Sequence, residues 1–125
     1  MQLTKNFHLD EFECHDGTPV PEEYIPNAQR LARNLQVLRD ELRRTIIVIS
    51  GYRTPAWNRR VRGARRSEHL DASAGDIRVP GLTPRVVHQT VERLIREGRM
   101  EEGGLGLYDG WVHYDVRGRR ARWRG

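Results

Sequence analysis

Between Asn27 and Arg44 the apolar positions are Ala28, Leu31, Ala32, Leu35, Leu38 and Leu42. Steps of three and four place them on one stripe of a helix, with arginines and Asp40 opposite. The spacing predicts one long amphipathic helix. The pattern then changes. Thr45 to Ser50 (TIIVIS) is β-branched and predicts a short buried strand. Pro55 can open a short helix over Ala56 to Val61, and Arg62 to Arg66 forms a basic, Gly-containing loop. Asp76 to Val79 reads as a second strand, closed by Pro80-Gly81. Thr83-Pro84 is a helix cap followed by proline at the first helical position. Val86, Val87, Val91, Leu94 and Ile95 mark the helix it opens, and Gly98 ends it. The LGLY segment and Trp111 to Val116 are two further strands, joined by a turn at Asp109-Gly110. Residues 1–20 look irregular, with Phe7, Leu9 and Phe12 as anchors, and the basic segment 117–125 is expected to fray.

The order is helix, strand, short helix, strand, helix, hairpin. It predicts an α+β domain in which a small, mainly antiparallel sheet packs against two main helices. The 125 residues suit a single domain, 1–125. A chain of this size buries roughly two-thirds of its unfolded surface, enough for one core.

Charge adds a partner class. The net charge is +5 and the pI about 10.1. The excess is arginine, and it is clustered: five fall between Arg59 and Arg66, and five between Arg117 and Arg124. An anionic partner is favoured, whether wall polymer, membrane surface or nucleic acid. No helix-turn-helix, zinc-finger or RNA-binding signature accompanies the arginines. Cys14 is the only cysteine, so an internal disulfide and a thiolate-rich metal site are both excluded. The N-terminal MQLTKNFHLDEF carries no apolar core of a secretory signal, and no run approaches the roughly 20 apolar residues that span a bilayer.

Candidate chemistry centres on three residues. His69 lies just before the second strand, Asp76 starts that strand, and His113 lies within the last one. Two imidazoles and one carboxylate are a common ligand set for a catalytic zinc. A His-x6-Asp pair is common by chance, so spacing alone leaves a second reading open, of polar residues on loops and strand ends. Asp115 favours the metal reading. It sits two residues beyond His113 in a strand, so both face the same side, and burying it without a partner would be costly. Asp115 is thus a base or an orienter of His113, with Asp109 in the turn as the alternative base. Trp57 and Trp123 read as packing residues, and His8, His15 and His88 as solvated.

The segments NFHLDEFEC, SGYRTPAWN, SEHLDASAGDI and GGLGLYDGWVHYDVRGRRARW occur in that order across nearly the whole chain. Together they resemble the peptidase M15 family of zinc D-alanyl-D-alanine carboxypeptidases and peptidoglycan endopeptidases, especially its short phage and bacterial branch. The resemblance implies the fold shared with the hedgehog signalling domain, and a zinc cofactor held by His69, Asp76 and His113. It implies that Arg53 and Ser67 engage the substrate's carboxylate or carbonyl. The family's usual glycine three residues after the first histidine is Ala72 here, which is strained if the backbone is left-handed.

The expected function is a zinc metallopeptidase, of carboxypeptidase or endopeptidase type, hydrolysing bacterial peptidoglycan through a zinc-activated water. Two alternatives stand beside it: a non-catalytic zinc-binding wall or structural domain of the same fold, and a basic nucleic-acid-binding module. Peptidoglycan peptides are the expected partners, with no membrane, no nucleic acid and a monomeric chain. Synthesis in the cytoplasm and action at the wall are expected, as for a phage lysis (endolysin) or tail-associated enzyme.

Overall fold

A computed structural model describes residues 1–125. Helix α1 (Ile25–Leu42) buries Ala28, Leu31, Ala32, Leu35 and Leu38, the stripe that the periodicity predicts. It ends where Arg43 turns left-handed (φ 53°). Two shorter helices start as their sequences predict. Thr54 caps α2 (Pro55–Arg60), its hydroxyl accepting from the Trp57 N–H, and Thr83 caps α3 (Pro84–Arg96) through Val86. Each has proline in its first turn, where a missing N–H costs nothing.

Five strands form one sheet: β1 (Ile47–Ser50), β2 (Ala74–Arg78), β3 (Gly104–Leu107), β4 (Val112–Asp115) and β5 (Ala121–Arg124). Their spatial order is β1-β2-β4-β3-β5. The first four pair antiparallel, and β5 joins β3 in parallel. The architecture is α+β, as expected. Helices α1 and α3 contact each other and cover one sheet face, where a side chain at Gly75 would meet Leu31 and Leu35. Phe7, Phe12, Leu94, Leu105 and Tyr114 complete the core.

Four local expectations need correction. The first strand is only half-buried, because it forms a sheet edge. Asp76 is central in its strand, which begins at Ala74. The N-terminal segment contains a 3₁₀ turn, Leu9–Phe12, closed by reciprocal hydrogen bonds between His8 and Glu11. The C-terminal segment does not fray: its backbone pairs with β3, and Arg122 reaches Glu92 and Glu102.

Candidate metal centre

One lateral row of the sheet sets the site. Ser50 lies opposite Asp76, Asp76 opposite His113, His113 opposite Gly106, and Gly106 opposite Trp123. Side chains alternate between faces along a strand. With Gly75 facing α1, the neighbouring Asp76 points to the helix-free face. Gly106 lets the Trp123 indole lie against the His113 ring, with centroids 4.8 Å apart.

His69 arrives differently, from a 3₁₀ turn, Glu68–Asp71. The Ser67 hydroxyl caps that turn by accepting from the His69 N–H at 3.2 Å. Ala72 closes it with φ 65°, so the condition for strain at this position is met, and alanine carries it.

Three buried atoms converge. His69 Nε2 lies 3.3 Å and His113 Nδ1 3.2 Å from Asp76 Oδ1. One ligand atom from each of the three residues falls within 4.8 Å of the others. The outer nitrogens are committed elsewhere. His69 Nδ1 is 2.7 Å from the Gly51 carbonyl oxygen, and His113 Nε2 is 2.7 Å from Asp115 Oδ2. A carbonyl can only accept, and so can an ionised carboxylate, so both outer nitrogens carry the hydrogen. In the neutral rings the inner nitrogens then point lone pairs at a carboxylate. Acceptors crowded together in a buried place call for a cation between them, and this donor set fits one.

Without an ion, a proton on an inner nitrogen can take its place and be donated to Asp76. Burial would raise the Asp76 carboxyl, but such hydrogen bonds from His113 and His69 hold it well below the usual range. Burial pushes His69 down, only partly offset by Asp76. Burial also disfavours charge on His113, yet Asp115 and Asp76 outweigh it and raise its pKa. Asp115 is held low despite its burial, by His113, Arg117 and the Gly104 N–H.

Further contacts fix the surroundings. The Arg53 guanidinium donates to Ser50 Oγ, Asn58 Oδ1 and Asp76 Oδ2, each at 3.3 Å. Arg117 donates to both oxygens of Asp115, at 2.9 and 2.8 Å, and lies over the Trp123 ring. A cleft of ≈ 410 Å³ opens above the three convergent residues, its lining including Arg53, Ser67, Glu68, Tyr108 and Trp123.

A family model described as Peptidase M15 matches residues 5–115, most of the chain and all three convergent residues. The chain belongs to the peptidase M15 family. M15 proteins are metallopeptidases, so the chain is a peptidase and its buried His-Asp-His cluster is a candidate metal site. No curated protein and no solved structure matches it.

The M15 chain brings together most of the residues singled out from its sequence, but not all. Arg53 and Ser67 line the cleft. Asp109 does not: it is exposed in the turn between β3 and β4 and lines a separate hollow with Ile77 and Pro80. Asp115 is fully buried behind His113, its oxygens taken by His113, Arg117 and Gly104. The strand geometry does put it on the His113 side, where it meets the ring nitrogen at 2.7 Å and lies outside the cleft lining. Sequence reasoning missed Glu68, the one carboxylate besides Asp76 that lines the cleft. Burial raises the Glu68 carboxyl, with the Asp115 charge adding and Arg117 opposing. Its place beside His69 in SEHL was the available signal. Trp123, read as a packing residue, also walls the cleft.

Proposed function

We propose that the protein is a zinc-dependent peptidase that hydrolyses peptide bonds of bacterial peptidoglycan. One observation carries the reading: two buried imidazoles, each with its outer nitrogen fixed by an acceptor, aim their free nitrogens at the same oxygen of Asp76. Two nitrogens and one carboxylate oxygen suit zinc better than magnesium or calcium, which prefer oxygen ligands. His69, Asp76 and His113 would hold the ion. When bound, zinc supplies Lewis acidity toward a scissile carbonyl and toward water.

The chain's own residues do the rest. Gly51 and Asp115 keep the two imidazoles in the ligating tautomer. Arg53 holds Asp76 through one nitrogen and presents its charge to the cleft, where a substrate carboxylate or carbonyl oxygen can pair with it. Glu68 replaces Asp115 and Asp109 as the carboxylate within reach of the cleft, placed to carry a proton between water and the leaving amine. The basic cleft suits peptides that carry free carboxylates, as wall stem peptides do. No helix is long and apolar enough to cross a membrane, and the site of action is the cell wall.

The test combines metal analysis with mass spectrometry of products from defined muropeptides, with and without chelator. About one zinc per chain is expected. Cleavage should stop on chelation, return with zinc, and be absent from His113→Ala. Cleavage by metal-free protein would overturn the mechanism. Zinc binding without cleavage of any muropeptide would favour a non-catalytic domain.

A further inference from the structure

The two arginine clusters, alike in sequence, differ in the folded protein. In the C-terminal one, three of the five, Arg117, Arg120 and Arg122, pair with Asp115, Glu92 and Glu102, while Arg119 and Arg124 form no ion pair. In the other, Arg59, Arg60, Arg62, Arg65 and Arg66 are all exposed, and none forms an ion pair. Residues 51–67 contain no Asp or Glu.

The loop that presents them is built rather than slack. Asn58 is buried, accepts from Arg53, and donates to the Ala64 carbonyl at 2.9 Å. The Gly63 N–H donates to the Asn58 carbonyl at 2.8 Å. Gly63 has no room for a side chain between Asn58 and Arg53. Arg62 is held in the left-handed region at φ 57°, a strained place for a residue with a Cβ. Arg62 and Arg66 face the metal cleft, while Arg62 also lines the adjoining hollow with Arg59 and Arg65. The unpaired charge therefore begins at the cleft wall and runs outward from it.

From this continuity we infer that the loop spanning residues 59–66 is a second substrate-binding surface. It recognises free carboxylates of the stem peptide away from the scissile bond, so the enzyme prefers stem peptides whose carboxylates are not amidated. This rests on the peptidoglycan reading above. Guanidinium forks pair with carboxylates by short, charge-assisted hydrogen bonds. The cleft and the loop share Arg62, so one extended acidic peptide can occupy both.

The test uses two muropeptides differing only in amidation of their stem-peptide carboxylates. KM and kcat are measured on the zinc-loaded chain, and equilibrium binding of each on metal-stripped chain. Wild type should favour the free-carboxylate form by about tenfold or more in KM and in binding, the ratio one charge-assisted hydrogen bond supplies. The double variant Arg62→Gln, Arg66→Gln should reduce that preference to within about twofold. A charge-matched control, Arg33→Gln with Arg96→Gln, should retain it. Thermal denaturation checks that each variant folds. Equal binding of both muropeptides by wild type would overturn the inference, as would equal loss of preference in the control. Tight, salt-dependent binding of duplex DNA through the same arginines, without muropeptide discrimination, would overturn it in favour of nucleic acid. If neither muropeptide is cleaved, the peptidase reading fails, and the binding measurements still decide this one.

Discussion

The two imidazoles that face Asp76 are held by different means. His113 stands in a central strand, and a carboxylate holds its outer nitrogen; that carboxylate is itself gripped by both arms of Arg117. His69 stands on a 3₁₀ turn, and a backbone carbonyl from Gly51 holds its outer nitrogen. One imidazole is thus fixed by side-chain charge and the other by chain path. The charged arrangement is open to single substitutions. The backbone arrangement is shielded, since no side-chain change deletes a carbonyl. It depends instead on how closely the chain packs: a side chain at Gly51 would come within 2.7 Å of the Phe12 Cα.

The largest effect should come from Asp115→Ala. It strands Arg117, His113 Nε2 and the Gly104 N–H around a fully buried position. Removing one partner of a buried ion pair costs about 3–5 kcal/mol, because the other charge is left uncompensated. Urea denaturation of the metal-free chain should show a loss of that size. Zinc affinity, read by chelator competition, should fall about 10–100-fold, the usual effect of losing the group that orients a ligating imidazole. Asp115→Asn keeps an acceptor, and should lose less stability while still weakening zinc. A variant that keeps both stability and zinc affinity would show that the carboxylate does not hold His113 in place.

A smaller effect, sharper as a comparison, is expected in how the two rings titrate in the metal-free chain. His113 should take up its proton above the ordinary histidine value of 6.5, and His69 below it. The signs follow from linkage. His113, with its pKa raised, contributes stability that is complete below the unfolded value and is lost as pH rises through the folded one. His69, with its pKa lowered, contributes stability present above the unfolded value and lost as pH falls below it. The two windows lie on opposite sides of 6.5, so the pair should give a stability maximum near that pH and a loss on either side of it. In acid, Asp76 and Asp115, both held low, add a further loss below the ordinary carboxylate range. Histidine NMR titrations should separate the rings, and Asp115→Asn should move only His113 downward. Identical titration of both rings would erase the proposed difference in how they are held.

The same contrast governs what could be read from the chain. A strand-borne histidine announces itself: alternation in Trp111 to Val116 puts Asp115 on the His113 side, where the two meet at 2.7 Å. The α1 stripe and the Thr-Pro caps were legible because they depend on residues three or four apart. A turn-borne ligand is quieter, because the Gly51 carbonyl is a feature of the backbone that no residue type marks. Strand β5 was hidden for another reason. Its arginines look like a solvated tail until Glu92 and Glu102, distant in sequence, come alongside. The Arg53 contact with Asp76, which spans 23 residues, is equally invisible to local pattern.

The smallest expected effect tests whether the His69 turn stores strain. Ala72 closes that turn at φ 65° and is 1% exposed. Changing it to glycine removes a left-handed penalty of roughly 1–2 kcal/mol. The same change forfeits a buried methyl, worth about 0.8 kcal/mol. It also loosens the unfolded chain, at a cost of about 0.4–1 kcal/mol. These terms nearly cancel, so Ala72→Gly should shift stability by less than about 1 kcal/mol, a few degrees at most in Tm for a chain of this size. Zinc affinity should stay within about twofold, since the Ser67 cap and the Gly51 carbonyl are untouched. A gain of 2 kcal/mol or more would mean that the turn is held under strain by its surroundings. A fall in zinc affinity would mean that this strain helps aim His69, and the two ligands would then differ in stored energy as well as in the kind of contact that holds them.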